Sequence, residues 1–472
     1  MPLGCTVILI GIPERDAHLV YPCQDRYPPN QALQWPKMLP LLSTFRIPIR
    51  SAVVPTCVSA ILLLIGSIPA IGGTPEAFTN VFATGSGTTN IVHPFVLFPI
   101  TKWYPTRPTT DVLSEVFVCL VFLALPIISA VCLWRLYRRT KRTERPTGWM
   151  RVIAGNLLLL FCLLSTSLLI GEAWFRFFVD TTDSLGFTRI SERWVARHWH
   201  PNGAGCRDDI EYLPMIQHGK RRLTFVGDSF TAGHGIKNVE DRFANRLRAE
   251  HPDWEIHVLA NVGLDTGAEI GLLKKALYRG YQLDEVVLVY CLNDVGDLLL
   301  GSDGPFAGRL PAVDKVGPWY IRGSYFLDLY YNRFQAARNP FVKDYFGFVK
   351  SGYRGDYWET QKRRLKEFRD LVQSHGGHLT VVTFPFLNSL GPAYDYGFVH
   401  EELAKFWTDQ QVPELDLLLT YTGLSPKELT VNAHDAHPNE LASRLAAEAI
   451  NRTLWPVLTN RVSERVGSAE TK

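Results

Sequence analysis

The sequence carries almost no net charge: 49 Lys and Arg stand against 46 Asp and Glu over 472 residues, a formal balance of +3. No long basic run lies in its second half, so the electrostatic footprint of a nucleic-acid binder is missing. Cysteine supplies no framework either. Of eight cysteines, Cys57, Cys119, Cys132 and Cys162 sit in apolar runs, where a thiol behaves as a small hydrophobe. Cys5 and Cys23 lie near the amino end, and only Cys206 and Cys291 reach the soluble part. Nothing in the sequence favours a disulfide between those two. There is no Cys-x-x-Cys and no His-Glu-x-x-His, so no metal site is predicted. The apolar patch from Val7 to Ile12 has no basic residue before it, which argues against a cleavable secretory signal. Pro22, Pro28, Pro29, Pro36 and Pro40 then make residues 1–50 a poorly ordered, cytoplasmic lead-in.

What the chain does have is a greasy first third. Within a membrane region at 51–172, the runs 52–72, 116–134 and 152–171 each extend for about 20 residues without a charge, enough to span a bilayer. Pro126 in the second run is expected to kink it, which a membrane helix tolerates. Arg135, Arg138, Arg139, Lys141, Arg142, Arg145 and Arg151 lie between the second and third runs, opposed only by Glu144. The loop before them carries only Lys102 and Arg107 as basic residues. Basic loops stay cytoplasmic, so everything from Glu172 onward is expected outside the cytoplasmic membrane. Trp174, Phe175, Phe177 and Phe178 fit an aromatic belt at the exit of the third span.

After a connector at 173–219, strand-like and helix-like segments alternate from 220 to 455, ahead of a tail at 456–472. The runs 223–226, 256–259, 286–290 and 378–384 read as strands, with 415–419 as a fifth. Helical periodicity covers 241–250, 266–279, 359–374, 398–410 and 440–452. This alternation predicts a parallel sheet with helices on both faces. An insertion at 301–358 breaks the pattern and is dense in aromatic residues, among them Tyr325, Phe326, Tyr330, Tyr331, Phe334, Phe341, Tyr345 and Phe346. Those rings either pack on the core or the membrane surface, or cap a site, since aromatic surfaces stack on sugars and acyl groups.

The chemistry gathers at the predicted strand ends. Leu223–Val226 stops at Gly227-Asp228, and Ser229 stands on the following turn, at the carboxyl edge where open α/β sheets place their ligands. Serine needs a base to become a nucleophile, and His437, after the last strand, can accept and return a proton near neutral pH. Asp435, two residues earlier, can fix its tautomer and stabilise the imidazolium. Three donors could face the developing oxyanion: the backbone N–H of Ser229, that of Gly263, and the side-chain amide of Asn293. Asp228 and Asp294 are expected to hold turns rather than move protons.

In order, Gly227-Asp228-Ser229, Asn261-Val262-Gly263, Leu292-Asn293-Asp294 and Asp435-Ala436-His437-Pro438-Asn439 resemble the SGNH hydrolases, also called GDSL esterases, over roughly 220–455. The resemblance implies a three-layer α/β/α flavodoxin-like domain, here preceded by three transmembrane helices. It also implies an oxyanion hole from Ser229, Gly263 and Asn293. Two blocks depart from the family pattern: Cys291 stands where a glycine is usual, and His434 where an Asp usually precedes the catalytic histidine by three. His434 is therefore a rival base. The expectation is a membrane-anchored serine esterase needing no cofactor, whose ester substrate could be an acylated envelope glycan or a lipid. Acyl transfer to envelope polysaccharide by the same site, with partner proteins, is the second reading. A non-catalytic assembly or glycan-binding protein is the third.

Overall fold

The computed structural model of the protein describes residues 95–98, 109–142, 148–184, 186, 188–300 and 317–460. The chain divides into two compact units, Met1–Asn90 and Ile91–Lys472. The expected span at 52–72 and the lead-in fall in the first unit, outside the described residues.

Two long apolar helices open the second unit, α1 (Thr109–Arg142) and α2 (Trp149–Phe177). Both are long and apolar enough to cross a membrane, and they contain the expected runs 116–134 and 152–171. They pack on each other as a hairpin. Among the described residues nothing covers their outer faces: Leu157 is 62% exposed and Ile170 63%, values that water would penalise in side chains of this kind. Helix α1 continues through Pro126 as one element. The basic residues Arg135, Arg138, Arg139, Lys141 and Arg142 lie at one end of the hairpin, and the remaining chain departs from the other.

A strap leads from α2 to a short helix, α3 (Arg189–His198). Then come β1 (Arg221–Gly227), α4 (Phe243–Glu250), β2 (Trp254–Ala260), α5 (Thr266–Tyr278) and β3 (Glu285–Cys291). The insertion contributes α6 (Tyr325–Arg338), and α7 (Gly355–Ser374) leads to β4 (His378–Phe384). Helix α8 (Gly397–Asp409), β5 (Glu414–Asp416), an antiparallel ribbon of β6 (Thr430–Asn432) and β7 (Asp435–Pro438), and α9 (Glu440–Thr453) complete the order. The fifth strand is shorter than the 415–419 run predicted, because Leu419 already belongs to a helical turn.

The main sheet has the order β2-β1-β3-β4-β5 and every pairing is parallel. The chain steps one way from β1 to β2 and the other way thereafter. Right-handed crossovers therefore put α4 on one face and α5, α7 and α8 on the opposite one. The packing of α9 on α4, and of α7 on α5, agrees. With both faces covered, β2 and β3 are buried along their full length, and the apolar run Val286–Cys291 of β3 is of the kind such a strand requires. The reversal of direction between β1 and β3 creates a crevice at the carboxyl edge of the sheet.

The aromatic insertion divides its contacts. Phe326 and Tyr330 pack against Phe175 of α2, and Trp319 against Phe117 of α1. Further along, Phe346 packs against Phe386, and Tyr353 against Trp358 on the core. The first part thus rests on the apolar hairpin and the second on the sheet domain.

Candidate functional site

Three strand ends build the floor. Strand β1 ends at Gly227, and any Cβ there would meet Thr231 Oγ1 at 2.2 Å and the Val289 carbonyl oxygen at 2.9 Å, so only glycine fits. Asp228 follows and caps the single helical turn Ser229–Ala232, accepting the Phe230 N–H at 2.9 Å. That cap fixes the direction of Ser229, which is 6% exposed. Strand β2, next to β1, ends ahead of Asn261 and Gly263. Gly263 adopts φ +74°, a left-handed conformation that disfavours any side chain, and the space beside its Cα is open. On the other side of β1, β3 ends at Cys291. Asp294 accepts the Cys291 N–H at 2.8 Å and closes that turn, while the Asn293 amide reaches Asp228 at 3.5 Å. Asp228 and Asp294 thus each accept a backbone N–H within their own turn.

The ribbon supplies the remaining residues. His437 Nε2 lies 2.8 Å from Ser229 Oγ, and His437 Nδ1 lies 2.5 Å from Asp435 Oδ1. His437 sits within a short strand, β7, rather than after the last one. The difference explains the short Asp-x-His spacing. Side chains two apart on a strand share a face, so Asp435 and His437 project together without the extra residue the family pattern carries. His434 is not joined to Ser229: it lies in the turn of the ribbon, and its carbonyl accepts the Ser184 N–H.

Electrostatics follow from burial. Leaving water would lower the His437 pKa, but the Asp435 carboxylate overcomes this and holds the imidazole above its ordinary value. Burial would raise Asp435, yet His437 and the Thr182 hydroxyl, which donates to Oδ2, hold it well below the usual carboxylate range. Under the floor, Asp228, Glu269 and Asp294 are pushed up, first by burial; the charge of Asp228 adds to the rise of Glu269, and those of Glu269 and Asp228 to the rise of Asp294.

Sequence reasoning missed two groups. His234 lies beside His437, and burial together with the charge of His437 pushes its pKa down to about 4. Thr182 belongs to the strap after α2. Neither belongs to a motif block; the strap's only signal was its position after an apolar run. Among the described residues, His234, Asp435 and His437 form the one group whose possible ligand atoms converge within 4.8 Å, and both ring nitrogens of His437 are already engaged there. Cys206 and Cys291 are both buried free thiols.

Fold and site define a parallel-sheet α/β protein with a Ser–His–Asp constellation at the carboxyl edge of its sheet. Solved structures similar to it include GDSL lipolytic proteins. One, from Veillonella parvula, is 14% identical, with 49% of this chain and 97% of that one covered and a TM-score of 0.32. An extracellular lipase from Streptomyces rimosus is 17% identical, covering 49% and 99%, with a TM-score of 0.32. The C-terminal catalytic domain of peptidoglycan O-acetyltransferase A from Streptococcus pneumoniae is 11% identical, covering 50% and 94%, with a TM-score of 0.26. No family model and no curated protein matches the chain.

Proposed function

We propose that this protein is a membrane-anchored, SGNH-type serine esterase. The observation that carries the reading is the continuous chain from Ser229 Oγ through both nitrogens of His437 to Asp435. As an ester carbonyl is attacked, the Ser229 proton passes to His437 Nε2, and the new imidazolium is balanced by Asp435. The former carbonyl oxygen takes up the negative charge, facing the N–H groups of Ser229 and Gly263 and the Asn293 amide. Collapse expels the alcohol with the proton from His437. Water then repeats the sequence on the acyl-serine, regenerates Ser229 and releases the acid.

The anchor is the α1–α2 hairpin, with its basic end in the cytoplasm. Because the remaining chain leaves from the opposite end, the catalytic domain lies on the extracytoplasmic side. Ser229→Ala is expected to abolish hydrolysis of a short-chain aryl ester and labelling by a fluorophosphonate, while the protein stays folded and membrane-bound. Turnover by the pure variant at the parental rate overturns the assignment. A sugar hydroxyl replacing water in the second half would make the same site an acyltransferase. Acyl-polysaccharide offered with and without an acceptor glycan separates the two outcomes, free acid against transferred acyl.

A further inference from the structure

The strap between α2 and α3 is fixed at both ends. At its start, the Arg193 guanidinium of α3 donates to the carbonyls of Phe175, Arg176 and Val179, closing the carboxyl end of α2. Further on, the strap lies along the ribbon that carries Asp435 and His437. Asn432 Nδ2 donates to Thr181 Oγ1 at 2.8 Å and to the Thr182 carbonyl at 3.0 Å. The Ser184 N–H donates to the His434 carbonyl at 3.1 Å, and Ser184 Oγ accepts the Ala436 N–H at 2.9 Å. Between these contacts Thr182, 3% exposed, donates its hydroxyl proton to Asp435 Oδ2.

Asp435 is thus held by two different parts of the chain. Oδ1 takes the His437 Nδ1–H and the His437 backbone N–H, and Oδ2 takes Thr182. His234 Nε2 also lies near Oδ2, at 3.8 Å, and is 3.4 Å from the Asp183 carbonyl of the strap. Without the Thr182 donor the carboxylate is free to turn toward His234, which draws Oδ1 from the ring it must orient.

We propose that Thr182 is a positioning residue of the acyl-transfer site, brought there by the strap that leaves the apolar hairpin, so that the anchor's exit segment is part of the catalytic apparatus. This rests on the serine-esterase reading above. In the full-length protein in detergent, Thr182→Val keeps the side-chain shape and removes the donor. Its kcat on a short-chain aryl ester is expected to fall about tenfold or more, the loss that follows removal of a hydrogen bond to a charged group, with KM changed less than about twofold. Thr182→Ser restores the hydroxyl and is expected to recover kcat to within about threefold. Asn432→Ala removes the donor to Thr181 Oγ1 and the Thr182 carbonyl, so it loosens the strap while keeping the Thr182 hydroxyl, and is expected to lower kcat in the same way. Parental kcat in Thr182→Val, or no recovery in Thr182→Ser, overturns the proposal. If Thr182→Val does not fold, parental kcat in Asn432→Ala overturns it instead. Ser229→Ala run alongside separates the failures: an active Ser229→Ala sinks the site itself, whereas an inactive one beside a parental Thr182→Val sinks only the role of the strap.

Discussion

The imidazole of His234 lies against that of His437, with ring centroids 4.5 Å apart and their planes inclined at 58°. Two imidazolium rings at that separation repel, and only one can take up the serine's proton. Burial and the charge of His437 settle which, by holding His234 neutral with a pKa of about 4. Trp194 and Trp199 flank it and keep water out.

That arrangement has a cost at low pH. A folded-state pKa near 4 against about 6.5 in the unfolded chain means the unfolded chain binds the proton first as pH falls. Stability contributed by this group is present above pH 6.5 or so and is lost progressively down to about pH 4, up to about 3 kcal/mol. His234→Gln is expected to flatten the fall in denaturant midpoint across this window, read by tryptophan fluorescence. His257, pushed down to about 3 chiefly by burial, adds the same trend to both proteins and cancels in the comparison. Parallel curves for parent and variant would show that His234 carries none of it.

Asp435→Asn tests the other neighbour of His437. The amide removes the anion that holds the imidazole above its ordinary pKa, and offers the ring the wrong tautomer. A kcat loss on the order of 10³- to 10⁴-fold is expected. The acid limb of the kcat/KM profile, which reports neutral His437, should also move to lower pH. An unmoved limb with full activity would mean that His437 is tuned by something other than Asp435.

The floor of the site was readable because each block follows an apolar run long enough to be recognised as a buried strand. That placed Ser229, Gly263 and Asn293 each after its own strand, while their grouping into one site came with the resemblance of the four blocks. The ribbon could not: Thr430–Asn432 and Asp435–Pro438 are short and polar, and they pair with each other rather than with the main sheet. Hence His437 was expected after the last strand, and the Asp-x-His spacing read as a departure when the strand period accounts for it. Thr182 and His234 were illegible for a different reason. Thr182 meets Asp435 across 253 positions, and neither contact leaves a local pattern in the sequence.

Asn293 and Gly263 should separate binding from chemistry. Asn293→Ala removes one donor for the developing charge and is expected to lower kcat about 100- to 1000-fold with KM little changed. Gly263→Ala puts a methyl group into the open space beside the site at φ +74°. It costs roughly 1 kcal/mol of backbone strain and should also raise KM by crowding the substrate. Equal effects of Asn293→Ala on substrate binding and turnover would remove that residue from the oxyanion hole.

Glu269 projects from the first turn of α5 into the same floor, fully buried, with neither carboxylate oxygen partnered by a hydrogen bond. Burial, then the charges of Asp228, Asp265 and Asp297, push its pKa well above 4.5. A raised carboxyl is protonated in the fold while the unfolded chain has already released its proton. Its contribution to stability is therefore intact below about pH 4.5 and declines as pH rises toward the folded-state value. Glu269→Gln keeps the shape and cannot ionise, so it should match the parent near pH 4.5 and exceed it at pH 8. Thermal unfolding at the two pH values checks this. A variant less stable than the parent at pH 8 would mean that Glu269 is ionised in the folded protein and balanced there by a charge.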